Sequence, residues 1–223
     1  IARGVDAAVE YGADILVIPW GWTGARPALI TEAILDALDA GVTVVAAAGD
    51  GLYRPYSDAV DYPCALSGST PLLCIGTADI AGEPKGPASA DGLYWWSSAR
   101  DRKGPDLLAP GTWLHATDRS GPKGYNDGSQ SVPSGWTNEF AGTGASACFA
   151  AGVAASMTRR DPLLQPGELK RLLLATAVEQ GSGLADGSVV RLLDPDAATR
   201  AAAESAVVRE RSKTDGSPAG PRR

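Results

Sequence analysis

The strongest constraint on the fold of this chain is a series of short apolar runs separated by a helical pattern. The runs DILVIPW (14–20), VTVVAAAG (42–49) and PLLCIGTAD (71–79) lack polar alternation, which is typical of strands buried on both faces of a parallel sheet. Between the first two, residues 26–41 repeat apolar side chains at helical spacing. Strands alternating with helices in this way predict an α/β fold with a mainly parallel sheet between two layers of helices.

The rest of the chain extends the same pattern. Helical spacing recurs in four further segments, which are listed at the end of this paragraph. We interpret 93–99 and 106–117 as two short extended pieces, and a long polar loop separates them from the helix that follows. The last residues have little to bury, so we predict one domain over 1–205 and a disordered tail over 206–223. The four helical segments cover 2–11, about 144–160, 166–177 and the residues after a short strand near 190.

Composition excludes several classes of function. The 223 residues carry 20 Lys and Arg against 26 Asp and Glu, and a net charge of −6 argues against nucleic acid as a partner. No apolar run approaches the roughly 20 residues that span a bilayer. The sequence starts within a helical pattern, with no initiating Met or signal-peptide pattern, so we expect a fragment, a processed chain or half of a split protein.

The cysteines leave two interpretations open. Cys64, Cys74 and Cys148 are an odd number, so at least one thiol is unpaired within the chain. A Cys64–Cys74 bridge would indicate an exported protein, whereas the alternative is three buried, small hydrophobic residues. No Cys/His cluster has metal-ligand spacing, so we expect no metal and no cofactor.

The order of the pieces resembles that of the subtilisin-like serine proteases, the subtilase or S8/S53 peptidase fold. ADILVIPWGW stands where that family has a strand ending in a Ser-Leu-Gly substrate-binding segment, and VTVVAAAGD where it has a strand ending in Ala-Ala-Gly-Asn. YPCAL, LLCIGTAD and WSSARDRKGPDLLAPGTWLHAT follow in family order, and GTGASACFAAG matches the segment around the nucleophile. The resemblance covers residues 1–195 and implies a three-layer subtilisin-like fold that lacks the family's N-terminal part.

The same resemblance implies a damaged catalytic site. The nucleophile position is Gly144, which has no hydroxyl, and the oxyanion-donor position is Asp50, whose ionised carboxylate only accepts hydrogen bonds. The family's Asp and His lie upstream of residue 1. His115, the only histidine, falls after Ala-Pro-Gly, and we interpret it as a surface or structural residue.

Other residues near these positions have competing interpretations. Asp50 is expected to be a loop residue or helix cap, although sedolisins, a related branch, place an acid at the oxyanion position. Ser146 lies about 200° around the helix from position 144, so we expect a core hydroxyl. Cys148 shares the face of Gly144 one turn deeper, where burial would leave its thiol inert. Thr143 matches the family's threonine before the nucleophile and is expected to be structural.

The resemblance also assigns a substrate-binding cleft. In the family an extended peptide pairs with the segment matched here by Trp20, Gly21 and Trp22, which forms one side of the cleft. The first side consists of two tryptophans, which could fill the cleft, anchor a bound segment or pack in the core. We assign Ala47, Ala48 and Gly49 to the second side, and Thr143 to the same substrate-binding set. Of the pair Trp95 and Trp96, strand alternation places one in the core and one outside.

Three hypotheses follow for the function. The leading one is a pseudoprotease domain that binds an extended peptide or a partner, which could be its own N-terminal half or a second subunit. The second is a genuine serine-type endopeptidase whose Asp and His lie in a missing upstream segment and whose Ser is replaced at position 144. The third is a structural α/β domain of a larger assembly, which predicts no peptide binding near the tryptophans. We slightly favour a secreted or cell-surface location, because the family is often exported.

Overall fold

A computed structural model of the chain describes residues 1–51, 59–93, 96–99, 104–180 and 189–214. The helices in this part of the chain are Ala2–Glu10 (α1), Ala28–Asp39 (α2), Thr143–Arg160 (α3), Pro166–Thr176 (α4) and Pro195–Thr214 (α5). The strands are Ile15–Ile18 (β1), Thr43–Ala47 (β2), Leu73–Ala78 (β3), Leu107–Pro110 (β4), Leu114–Thr117 (β5), Trp136–Phe140 (β6), Val178–Gln180 (β7) and Val190–Leu192 (β8).

Six strands form the main sheet, in the order β1-β2-β3-β4-β8-β7. All neighbours pair in parallel except β7, which is antiparallel to β8. Strands β5 and β6 form a separate antiparallel hairpin. The prediction of an α/β fold with a mainly parallel sheet is confirmed.

The sheet separates two hydrophobic clusters, because alternate residues of each strand point to opposite faces. Val45, Leu73 and Leu107 pack against α3, α4 and α5. On the other face, residues such as Val44 and Leu72 pack against α1 and α2. Helices therefore cover both faces, which is the three-layer arrangement that the sequence predicts.

Strand β1 lies at the edge of this sheet. Ile15, Leu16 and Val17 are only partly buried, while Ile18 at the strand's end is fully buried. The apolar run 14–20 predicted a fully buried strand, and this is wrong for the first three residues. They pair with β2 on one side, and no strand among the described residues lies on the other.

Several local expectations are also corrected. The polar loop predicted over 119–139 ends in strand β6, and β7 was not foreseen. The segment 93–99 contains no strand within its described residues, where Ser98 forms an isolated bridge to Asp50. Trp96 is buried, as alternation predicted for one member of the pair, whereas Trp95 lies outside the described residues.

The predicted disordered tail begins too early. Helix α5 continues to Thr214, and Arg209 on that helix bonds to Asp161 and Glu168. Residues 206–214 are therefore helical and attached to the domain, while 215–223 lie outside the described residues.

The structure also decides between the two interpretations of the cysteines. Cys64 and Cys74 form a disulfide that joins a single turn of 3₁₀ helix to β3. Cys148 is a free and exposed thiol. The reading of three buried hydrophobic cysteines is therefore wrong. None of the helices described is both long and apolar enough to cross a membrane.

Candidate active site

The candidate site lies where the carboxyl ends of β1 and β2 meet the beginning of α3. Ligands of parallel α/β sheets bind at this edge, because the loops that follow the strands converge there. The structure brings together Pro19–Trp22 after β1, Ala48–Asp50 after β2, and Gly142–Gly144 at the start of α3. The motifs singled out in the sequence therefore form one site.

Gly144 has no room for a side chain. A Cβ atom added there would collide with the backbone carbonyl oxygen of Pro19, at a distance that real Cβ atoms do not reach. The carbonyl carbon and the Cβ of Pro19 would lie 3.3 and 3.5 Å away. Because the obstacle is backbone, a serine at this position would require the chain after β1 to move.

Asp50 is bonded to the first residue of α3. Its Oδ1 accepts a 2.8 Å hydrogen bond from the backbone N–H of Thr143, and the Thr143 hydroxyl accepts a 3.1 Å bond from the N–H of Gly49. The start of a helix favours negative charge, because its first N–H groups have no partner within the helix. Asp50 thus places its own carboxylate at this helix start, as expected for a helix cap.

Two opposing effects act on the acidity of Asp50. Part of the residue remains exposed, but loss of hydration around its carboxylate raises the pKa above the ordinary value. Hydrogen bonds from the backbone and side chain of Thr143 act in the opposite direction and are the smaller effect. The position therefore favours the protonated acid more than open solution does.

Asp61 and Tyr62 lie between the segments Pro19–Trp22 and Ala48–Asp50. We call these two segments the walls of the cleft, and Asp61 and Tyr62 its floor. The N–H of Asp61 donates to the carbonyl of Ala48 (2.8 Å), and Tyr62 and Trp22 exchange two backbone hydrogen bonds of 2.9 and 3.1 Å. The rings of Trp22 and Tyr62 also contact each other, with centroids 4.9 Å apart. Backbone bonds from this floor therefore hold the segments after β1 and β2 together.

The predicted substrate-binding residues differ in accessibility. Trp20 is 52% exposed and extends into solvent, while Trp22 is half-buried against the floor. Ala47 and Ala48 are buried, and the N–H and carbonyl of Ala48 both bond within the chain, to Ile75 and Asp61. Neither tryptophan lies in the core. From the sequence, core packing of one of them was as strongly expected as a role in the cleft.

The other candidate residues lie away from the cleft surface or outside it. Ser146 is buried and bonds to Thr77 at 2.8 Å and to the carbonyl of Ala109 at 3.1 Å, as expected for a core hydroxyl. Cys148 instead lines an open groove between α3 and α5, so its predicted burial beneath Gly144 is wrong. His115 is exposed and stacks on Trp136, as expected for a surface residue.

Two features of the site were not predicted from the sequence. Pro19 matters through its carbonyl, and nothing in a sequence shows which backbone group approaches Gly144. Asp61 immediately precedes the Tyr-Pro motif at 62–63, and that motif was the only available signal for it. Its carboxylate lies between two wall glycines, Gly21 and Gly49.

Comparison with known families identifies the family of the chain. The model of the subtilase family matches residues 1–210. The chain belongs to the subtilase family. Fervidolysin of Fervidobacterium pennivorans is 26% identical over 207 residues, which are 89% of this chain and 27% of fervidolysin. A probable subtilase-type serine protease of Deinococcus radiodurans is 30% identical over 191 residues, 85% of this chain and 23% of that protein.

Solved structures show the same fold. The patellamide maturation protease PatA superposes with a TM-score of 0.65 at 23% identity, over 90% of this chain and 67% of that one. The chain thus spans about a quarter of the length of the curated relatives above and two thirds of the PatA structure. Residues 1–223 therefore correspond to only part of the length of each of those proteins.

Proposed function

We propose that this subtilisin-like domain binds an extended peptide or protein segment without cleaving it. The observation that carries the proposal is the contact between Gly144 and Pro19. The position that we match to the family's nucleophile is a glycine, and a Cβ atom added there would collide with the carbonyl oxygen of Pro19. The carboxylate of Asp50 bonds to the helix start where a negative charge of the reaction would develop, and an ionised carboxylate repels such a charge.

Fluorophosphonate labelling of the full-length protein tests this proposal. The wild type and the Gly144→Ser variant would be treated beside an active subtilisin, with modified residues mapped by mass spectrometry. We expect labelling of the subtilisin alone, because a serine at 144 meets the Pro19 carbonyl. A labelled serine in the wild type would show a working hydrolase. Labelling of the variant alone would show that the site opens enough to accept a nucleophile.

A second candidate is an active serine-type endopeptidase whose Asp and His come from outside residues 1–223. The names of the relatives, which are proteases, favour it. This candidate requires a nucleophile at the helix start, and the labelling experiment separates it from the first. Digestion of a casein substrate by the full-length protein, abolished by a fluorophosphonate, would establish it.

The open edge of β1 supports a partner for the sheet. Ile15, Leu16 and Val17 leave apolar surface exposed, and an unpaired strand edge offers N–H and carbonyl groups to a further strand. The partner is the protein's own N-terminal half or a second subunit. Hydrogen–deuterium exchange of the full-length protein checks this, because the β1 amides that point away from β2 would be protected if a further strand covers them and would exchange fast if none does.

The disulfide supports a secreted or cell-surface location. Disulfides form and persist in oxidising compartments and are uncommon in the reducing cytosol. Cys64 and Cys74 are both fully buried, so reductants reach this bond only when the fold opens.

A further inference from the structure

Lys85 and Asp91 form an ion pair that is completely removed from water. Both side chains are 0% exposed, and the lysine Nζ lies 3.2 Å from Oδ1 of Asp91. The same Nζ donates hydrogen bonds to the backbone carbonyls of Gly86 (2.9 Å) and Leu93 (2.6 Å), and the ring of Trp96 lies 5.2 Å from it. Because two buried charges lose their hydration, a reaction that removes both of them is favoured at such a place.

The two carboxylate oxygens of Asp91 have different surroundings. Oδ1 faces Nζ and also accepts a 3.0 Å bond from the N–H of Leu93. Oδ2 is buried, and no residue in the described part of the chain donates a hydrogen bond to it. An ionised carboxylate needs donors at both oxygens, whereas an amide has a single oxygen to satisfy. The surroundings therefore fit an amide at Asp91 better than a free carboxylate.

We propose that Lys85 and Asp91 become joined by an isopeptide bond, which makes this pair a site of self-modification. A proton first passes from the ammonium to the carboxylate across the 3.2 Å contact, which leaves a neutral amine and a carboxylic acid. The amine nitrogen then attacks Cγ of Asp91. A C–N bond forms, the bond from Cγ to Oδ2 breaks, and Oδ2 leaves with two protons as water. No oxidant or further reactant is consumed.

The backbone around the pair holds the two reacting groups in place. The two carbonyls that bind Nζ each engage one of its hydrogens, so after the proton transfer the lone pair of the amine is left facing the carboxyl group. The carbonyl of Asp91 accepts a 2.8 Å bond from Nε1 of Trp113, which fixes the second partner. Groups held at contact distance react as if they were present at very high concentration. We therefore expect the bond to form once the chain has folded, without a second protein.

The bond closes the loop 85–91 beside the candidate active site. The N–H of Ser98 donates a 3.0 Å bond to the carbonyl of Lys85, and Ser98 forms the isolated bridge to Asp50. The cross-linked loop thus supports the segment that carries Asp50. This inference does not depend on the proposed peptide binding.

Mass spectrometry of the purified, full-length wild-type protein tests the cross-link. Trypsin cuts after a free Lys85 and then releases the peptide 86–100, whereas an amide at Nζ blocks this cut and lowers the mass of the uncut peptide by one water molecule. We expect the blocked and lighter product. Lys170 and Asp106 are an internal control, because their ion pair has a similar length of 3.0 Å but side chains that are 13% and 12% exposed. Cleavage after Lys170 should be normal.

A variant identifies the amine that forms the bond. Lys85→Arg keeps the positive charge, but a guanidinium does not lose its proton and cannot attack the carboxyl group. In this variant the cut after position 85 should return, and no water should be lost.

Two results would overturn the proposal. One is complete cleavage after Lys85 in the wild type, with peptides of full mass. The other is a loss of water that persists in Lys85→Arg, because another residue would then have reacted. The wild-type result does not depend on the folding of the variant, and neither result bears on the proposed peptide binding.

Discussion

At the scale of single residues, Gly144 and Asp50 are the basis of the proposal that the site binds a peptide without cleaving it. The first lacks a nucleophile and borders a backbone carbonyl, and the second supplies a carboxylate to the start of α3. These features act independently, since one is a matter of space and the other of charge. Reversing one of them would therefore leave the other in place.

Two glycines of α3 provide a matched test of the space around position 144. Glycine within a helix is less favourable than alanine, so Gly152→Ala, where an added Cβ meets nothing within 4 Å, should stabilise the protein by about 0.5–1 kcal/mol. Gly144→Ala should instead destabilise it by roughly 1–3 kcal/mol, because the methyl group meets Pro19. Urea denaturation of both variants measures the difference. Equal stabilisation by the two would show that the cleft has room at 144.

The raised pKa of Asp50 predicts a dependence of stability on pH. Because the folded-state pKa lies above the unfolded value of about 3.9, Asp50 favours folding most below that value, and this contribution is lost as the pH rises through the folded pKa. Asp50→Asn keeps the acceptor for Thr143 but cannot ionise. The variant should therefore gain thermal stability relative to wild type between pH 3 and pH 7. A Tm difference that is constant across this range would contradict the shift.

Sequence patterns predicted most strands of the main sheet but fewer of the contacts in the candidate site. Strands β2, β3 and β4 were predictable because burial on both faces requires uninterrupted apolar runs. Strands β6 and β7 contain polar residues and are stabilised mainly by pairing with β5 and β8, which no local pattern reveals. The cap at Asp50 followed from residue type and position. The contacts of Pro19 and Asp61 join residues far apart in the chain, so only the folded structure shows them.

At the scale of elements, one arginine connects the C-terminal helix α5 to α3 and α4, in addition to the apolar contacts of α5 with the core. Arg209 on α5 donates to Asp161 at the end of α3, with a 3.0 Å distance from its Nε to Oδ2, and also bonds to Glu168 on α4. Asp161 is 2% exposed, and its other carboxylate oxygen accepts a 3.2 Å bond from the N–H of Leu163. A buried carboxylate without a partner is costly, which makes this contact more important than an ordinary surface ion pair.

Arg209→Ala should destabilise the protein by about 1–3 kcal/mol, because it leaves the buried carboxylate of Asp161 without its cation. Arg200→Ala, at an exposed position on the same helix, is the control and should change stability by less than about 0.5 kcal/mol. Hydrogen exchange should also become faster in residues 206–214 of the Arg209 variant alone. Unchanged exchange there would mean that α5 is held by its apolar contacts.

At the scale of the whole molecule, the site depends on contacts that cross the fold. The disulfide joins the turn after the cleft floor to β3, in the centre of the sheet, so the floor and the sheet are covalently connected. Strand β1, at one edge of the same sheet, is only partly buried over its first three residues. The described part of the chain is therefore cross-linked around Asp61 and Tyr62, and β1 is paired on one side only among the described residues.

The disulfide should contribute substantially to global stability. Closing a loop between cysteines 10 positions apart restricts the unfolded chain and predicts a contribution of about 2–3 kcal/mol. The double variant Cys64→Ala, Cys74→Ala should lose about this amount in urea denaturation, whereas Cys148→Ala, at the exposed thiol, should change stability by less than about 0.5 kcal/mol. A maleimide reagent applied to the denatured wild type should label one cysteine before reduction and three after it. Three labelled cysteines without reductant would show that the bond is absent in the protein as produced, and would remove the support for an oxidising compartment.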